Sequence, residues 1–368
     1  MRVLMVNDLP IESGWGAEAH VGRLAAALEA AGDDVDVFAG EITHEGFGKA
    51  LDLWDPRARR AVRERAERFR PDVVHHHNVL RELSVSVLGV PAGVPTVMTV
   101  HEHRLLGVPD RPQRGFREVV TIPLSGFQRR VVRQRVDVVI GVSQHMTAKL
   151  GAAGFPNVAH VPQFAAAPPA SVHERPVGEA TDVVVASRLS REKGIPVLLE
   201  AFAQIAGRHE RTRLVVAGDG PEAAAVSALQ QRLGADRVRM LGKVAQGEVQ
   251  SLFASARVVV VPSIYTEGAP TTPIEAALVG RPVIVSTEPG LREFVDESGG
   301  GEVVAAGSVS ALADSLDRLL SDPVLAGQLA EAGRRFAEQK RTTAAVVPTI
   351  HAVYERAIAV HGVRPARP

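Results

Sequence analysis

Two glutamates and two cations hold the strongest chemical promise in this chain. Glu267 and Glu275, with seven residues between them, flank the turn Gly268-Ala269-Pro270-Thr271-Thr272, while Arg188 and Lys193 bracket Leu189-Ser190-Arg191-Glu192 ahead of Gly194. An arginine fork and a lysine point charge beside one short loop can clamp a diphosphate, although for an isolated pair a solvated surface is the blander reading. The elements that must position them follow from pattern. The apolar run Val258 to Val261 suits a strand buried on both faces, and Thr272-Pro273 suits an N-cap with proline at the first helical position. Glu267 is therefore expected at a strand's C-terminal end and Glu275 in the first turn of the next helix. Ligands bind at that edge of open α/β sheets, and the amides of a helix start attract anions. Thr272-Pro273-Ile274-Glu275 also has the spacing of a capping box, which gives Glu275 a structural task; Glu267 has none of that kind. A strand over 182–186 leads into the Arg188–Lys193 loop, and Pro196 opens the helix behind it.

Other candidates carry less. Ser13-Gly14-Trp15-Gly16 follows a first strand, Arg2 to Asn7, and precedes a helical stripe at Val21, Leu24, Ala25 and Leu28. Such a turn lets backbone approach a phosphate or sugar, but the third glycine and closing acid of a dinucleotide fingerprint are missing, so a tight structural turn is an equal reading. His75-His76-His77 invites a metal reading; successive strand residues face opposite ways and cysteine and carboxylate partners are lacking, so packing is expected there. His101 ends a strand over 96–100. Trp15 and Trp54, the only tryptophans, are candidates for an acceptor-stacking platform or for core packing.

Taken together, Glu267-Gly268, Glu275-Ala276-Ala277, the sequel Gly280-Arg281-Pro282-Val283-Ile284, and Arg188-Leu189 with Lys193-Gly194 resemble the retaining, nucleotide-sugar-dependent glycosyltransferases of the GT-B fold, the large glycosyl transferase group 1 family. That resemblance implies an α/β chain of two Rossmann-like, doubly wound parallel-sheet domains facing across a cleft. It implies a nucleoside-diphosphate sugar, UDP or GDP, held mainly by the C-terminal domain, with the acceptor, a small molecule, glycan or lipid-linked sugar, on the N-terminal one. Arg188, Lys193 and the amides around Thr271 and Thr272 would stabilise the leaving diphosphate, with no metal and no other cofactor. Glu267 and neighbouring Gly268 would meet the sugar, Glu275 the ribose hydroxyls, and His101 the transferred sugar near the reaction centre, with Glu102 where relatives more often have Asp. Gly14 and Gly16 carry over to the glycine-rich loop, Gly218 to the turn Gly218-Asp219-Gly220-Pro221-Glu222, and Lys243 and Val244 to the backbone that meets the nucleobase. Two departures stand out: Val161-Pro162-Gln163-Phe164 replaces the usual Pro-Asn-Gly junction, and Pro289-Gly290-Leu291-Arg292-Glu293 stands where relatives carry paired glycines and a Glu. An epimerase or phosphorylase on the same fold, a sugar-binding protein, or a silent partner subunit are the competing readings.

The whole chain is consistent with that division. Its 368 residues exceed one compact core, and 45% hydrophobic content supports well-filled ones. Residues 1–164 are read as the acceptor-side domain, 165–178 as an Ala- and Pro-rich linker, 179–345 as the donor domain, and 346–361 as an amphipathic helix crossing back to the first domain. The strand at 137–143 is expected to close the first sheet. Lys plus Arg equal Asp plus Glu at 42 each, which argues against a nucleic-acid partner bound through a general positive field. The absence of cysteine excludes disulfides and thiolate chemistry, and a start that runs directly into a strand makes cytoplasm the expectation. Lysine occurs only at 49, 149, 193, 243 and 340, so 42 − 5 = 37 of the cations are arginine. The dense run Arg104 to Arg135 reads first as a solvated face, with an anionic acceptor or peripheral membrane contact as its functional options.

Overall fold

The computed structural model describes residues 1–11, 16–40, 54–80, 83–107 and 116–363, and the chain divides into two compact units. Met1–Phe164 together with Thr343–Pro368 form the first, and Ala165–Thr342 form the second. Each is built on one six-stranded parallel sheet.

In the first unit the strands are β1 (Arg2–Asn7), β2 (Asp34–Ala39), β3 (Val73–His77), β4 (Thr96–Val100), β5 (Val138–Gly141) and β6 (Val158–His160), in the order β2-β1-β3-β4-β5-β6. The period-2 alternation of side chains divides β1 between two cores. Val3 and Met5 face α1 (Gly16–Ala30) and α12 (Thr343–Val363), while Leu4 and Val6 face α2 (Pro56–Phe69). The sheet does not close at β5, as the sequence suggested. Val139, Ile140 and Gly141 pair onward with Val158, Ala159 and His160, a three-residue strand too short to register as a hydrophobic run. α3 (Phe116–Arg135) and α4 (Gln144–Ala152) complete the unit.

The second unit has β7 (Val183–Ala186), β8 (Leu214–Ala217), β9 (Val238–Gly242), β10 (Val258–Val261), β11 (Val283–Ser286) and β12 (Gly301–Val304), ordered β12-β11-β10-β7-β8-β9. Four valines in succession make β10, and its neighbours explain why it needs apolar side chains on both faces. Val258 and Val260 join the core under α5 (Ile195–Ile205) and α10 (Val309–Ser321), whereas Val259 and Val261 join the one under α8 (Thr272–Leu278) and α9 (Pro289–Ser298). The helices α6 (Ala223–Leu233), α7 (Gln246–Ala254) and α11 (Pro323–Lys340) fill the remaining positions.

Each sheet reverses its winding once. The first turns back between β1 and β3, the second between β7 and β10, and such switch points open a crevice at the strands' C-terminal ends.

The segment 165–178, expected as a linker, is laid along the second unit. Ala165 is fully buried, bridges to Thr342 and donates its N–H to Arg341 O at 2.9 Å, and Arg175 N donates to Ala254 O at 3.0 Å. Arg281, only 1% exposed, fastens the strap from below by donating Nη2 to the carbonyls of Arg175 and Ala254. Among the described residues no helix is long and apolar enough to cross a membrane.

Candidate active site

The loop after β7 and the loop after β10 meet at the second sheet's switch point. Ile264 N donates to Glu192 O at 2.9 Å, and Gly194 sits so close to Pro262 that a Cβ there would lie 1.9 Å from its carbonyl oxygen. Gly194 also has φ +71°, so glycine is demanded twice over, by conformation and by space. It caps α5, with Pro196 in the first turn as the sequence suggested. This contact brings together two residues 74 positions apart: Lys193 Nζ lies 2.5 Å from Glu267 Oε1. The same carboxylate oxygen accepts from Ser263 Oγ at 2.6 Å. Lys193 keeps 33% and Glu267 18% of its side-chain surface exposed, so both remain open to a ligand. Arg188 is half-buried on the same loop, with no ion pair among the described residues.

Beyond Glu267 the chain turns through Gly268 into α8. The N-cap is Thr271, one residue earlier than the expected Thr272, and Pro273 sits inside the first turn. The shift matters for Glu275. Its N–H closes the first helical bond to Thr271 O at 2.9 Å, while its buried carboxylate accepts from Thr271 Oγ1 at 3.0 Å. A Thr272 capping box is thus replaced by a Thr271–Glu275 side-chain contact. Gly290, at the start of α9, packs on the same turn: a Cβ would fall 2.5 Å from Gly268 O and 2.7 Å from Glu267 O. One glycine here is enough to let α9 press against the carboxylate loop.

Lys243 is exposed and Val244 half-buried just after β9, and Gly218 after β8 reaches that strand by donating its N–H to Gly242 O at 2.7 Å. The loops following β7, β8, β9 and β10 therefore share one edge of the sheet with all the second-unit candidates.

In the first unit the corresponding edge is lined with imidazoles. His77 Nδ1 lies 3.1 Å from His101 Nε2, and His75 is held between Thr99 Oγ1 at 2.7 Å and Tyr354 OH of α12 at 2.9 Å. His20 of α1 lies against the His101 ring, centroids 4.8 Å apart, with Nδ1 2.8 Å from Gln163 Oε1. Burial holds these rings neutral. Desolvation, then neighbouring cationic forms, keeps His20, His75 and His77 well below the usual imidazole value, and desolvation lowers His76 to about 3 and His101 to about 4. The triple-histidine run is thus packed as expected, but His77 also braces His101. His20 and Gln163 escape sequence reading, because a polar residue within an apolar helical stripe and one in a departed junction motif carry no signal of a shared contact.

Gly14 and Trp15 lie outside the described residues. Gly16 begins α1 with open space where a Cβ would stand. Trp54 is partly buried, with Arg135 over its ring at 4.9 Å and Arg59 at 5.9 Å, so packing accounts for it. Of the arginine-dense stretch, Arg133 lies over Phe155 at 5.3 Å and donates to Ala153 O, leaving fewer cations for any outside partner.

Two family models match in tandem. The Glycosyltransferase Family 4 model covers residues 15–164, and the model for glycosyl transferases group 1 covers residues 172–336. The chain is similar over 365 residues, at 28% identity, to a GDP-mannose-dependent alpha-(1-6)-phosphatidylinositol monomannoside mannosyltransferase of Mycobacterium tuberculosis, covering 91% of this chain and 93% of that one. Among solved structures, sucrose-phosphate synthase of Thermosynechococcus elongatus superposes with a TM-score of 0.78 at 22% identity, covering 98% of this chain and 100% of the other. Anabaena Alr3699/HepE, solved in complex with UDP, superposes with a TM-score of 0.72 at 18% identity, covering 96% and 100%.

Proposed function

For a chain that is a nucleotide-sugar glycosyltransferase of the GT-B fold, we propose a retaining transfer from a UDP- or GDP-sugar to an acceptor hydroxyl that needs no metal ion. The observation that carries it is the Lys193–Glu267 contact at the switch point between β7 and β10, with Arg188 beside it. The two charges that a glycosyl transfer must manage are the diphosphate that leaves and the sugar carbon that turns cation-like. Lys193 has three donors and spends one on Glu267, so it can turn others to a phosphate oxygen, and Arg188 adds a fork. Backbone N–H groups around Thr271 and Thr272 supply further donors. Groups held in place before the reaction stabilise developing charge without the cost of reorganising solvent, and this substitutes for a metal.

Glu267 has a lysine and a serine on one oxygen, which lowers its worth as a nucleophile and leaves the other oxygen to accept sugar hydroxyls. Glu275 takes the ribose hydroxyls. His101 is neutral and so can share a hydrogen bond with the transferred sugar without adding charge beside an electron-poor carbon. Retention then follows from attack on the face that the diphosphate leaves. The bond from the anomeric carbon to the phosphate oxygen breaks, the acceptor oxygen bonds to that carbon, and its proton passes to the departing phosphate oxygen.

Thermal-shift titrations with UDP, GDP, ADP and their sugar conjugates, with and without EDTA, test this reading. A ligand that binds only the folded chain stabilises it by about 2.7 kcal/mol at a hundredfold excess over Kd. The expected result is a selective rise that EDTA leaves unchanged and Lys193→Ala removes. A rise abolished by EDTA would overturn metal independence, and no rise with any nucleotide would overturn the donor site.

A further inference from the structure

At the other edge of the second sheet the strap and α11 border a pocket of about 360 Å³. Arg281 stands two residues ahead of β11, so the pocket lies at the strands' N-terminal ends, whereas Lys193 and Glu267 follow the C-terminal ends of β7 and β10. Its charged lining is Glu174 and Arg175 from the strap, Arg281 itself, and Glu331 and Arg334 from α11. We infer that this pocket binds a phosphoryl dianion, held by Arg281 and Arg334. The inference does not rest on the donor-site reading above.

Arg281 supplies the first reason. A guanidinium has five N–H donors and no acceptor, and it stays charged. Nη2 is spent on the carbonyls of Arg175 and Ala254, but Nη1 and Nε are buried and have no hydrogen-bond partner among the described residues. Burial pushes the group down to about 10, which leaves it cationic at neutral pH. A charge only 1% exposed therefore meets little besides carbonyl dipoles, a costly state unless an anion shares the site. The lining acids are already engaged. Glu174 attracts Arg281 but hydrogen-bonds to Arg334, and Glu331 lies 3.6 Å from Arg335.

Arg334 supplies the second. Gly280 has φ +63°, and a Cβ there would collide with Arg334 Nη2, so glycine lets that head lie against the chain just ahead of Arg281. The two guanidiniums repel each other, and an anion between them relieves it. Arg334 keeps 29% of its side chain exposed and Glu174 37%, so their ion pair is weak enough to exchange for a ligand. A phosphoryl group brings about 1.5 to 2 negative charges and three acceptor oxygens, enough for an unspent Arg281 donor and for Arg334 together. A carboxylate brings one charge and two oxygens. The volume also suits a small organic body attached to the phosphate.

Calorimetric titration of the full chain with inorganic phosphate, glycerol phosphate and acetate tests the site. One saturable site is expected for the two phosphates and none for acetate, and the tighter of the two tells a free phosphate from a phosphate ester. Arg334→Gln should weaken binding on the order of 10–100-fold, as for loss of a charge-assisted hydrogen bond. Glu174→Gln, which releases Arg334, should tighten it about two- to fivefold, an effect that a merely structural ion pair would not produce. Lys193→Ala should leave it unchanged, and UDP binding should survive Arg334→Gln, which separates this site from the diphosphate clamp. Because Arg281 also holds the strap, it is read in the wild-type chain by NMR: its Nε–H signal should shift on adding phosphate. No saturable binding, acetate bound as tightly, loss in Lys193→Ala, or unaltered binding in folded Arg334→Gln would overturn the site.

Discussion

At the edge where β1 parts from β3 the first unit buries neutral imidazoles, and at the edge where β7 parts from β10 the second pairs an ammonium with a carboxylate. The sheets share strand number and direction, and each reverses its winding once, so topology alone does not set the difference. What differs is how the loops fill the crevice. Glycines at 194 and 290 draw the second unit's loops into backbone contact and leave the charged heads at the rim, partly wet. In the first unit, His75 and His77 along β3 and His101 just after β4 pack ring on ring, and desolvation lowers their readiness to charge. In the transfer proposed above, one edge meets the diphosphate anion and the other touches hydroxyls without imposing a field.

The comparison is broken most severely at Lys193. Lys193→Ala should lower kcat/KM about 10²–10³-fold, the usual loss for one preorganised charge-stabilising donor, while the melting temperature stays near that of the wild type because the pair is part-exposed. Steady-state kinetics and a melting curve check both halves, and normal turnover would end the assignment.

Acid should separate the two edges next. A buried imidazole with a lowered folded-state pKa stays neutral while its unfolded counterpart takes up a proton near 6.5, so the unfolded state binds more protons as pH falls. Stability is therefore full above about 6.5 and declines toward the folded values, about 3 for His76 and about 4 for His101, at a rate approaching 1.4 kcal/mol per pH unit per ring. The first unit should lose hydrogen-exchange protection between pH 7.5 and 5.5 before the second does. Equal losses in both would erase the contrast.

A smaller effect is expected from Tyr354→Phe, which leaves His75 Nδ1 buried and without its partner. About 1–3 kcal/mol of stability should go, read by urea unfolding, and Lys193→Ala should not reproduce it. Smallest of all, EDTA should leave the rate of sugar transfer unchanged; a loss of rate would tie the chemistry to a metal.

The sequence makes the second edge more legible than the first. Valine runs announce β7 and β10, Gly194 and Pro196 announce the start of α5, and the charged residues follow strand ends where topology puts ligands. The Lys193–Glu267 contact itself is hidden, since it spans 74 positions and depends on Gly194 meeting Pro262. Ser263 is hidden with it. Thr271 takes the N-cap because two threonines before a proline offer two registers, and pattern cannot choose between them. The first edge depends on contacts among α1, β3, β4 and α12, and no local period encodes such a meeting. β6, three residues long and half-buried, escapes for want of length.

The split composition of the first unit sets an order on synthesis. Its core includes Val346, Ile350, Val353 and Tyr354 of α12, so it stays incomplete until those residues have left the ribosome. The second unit runs without interruption from Ala165 to Thr342 and is all in hand earlier. Although domains usually form in order from the N-terminus, here the half that is begun first is finished last.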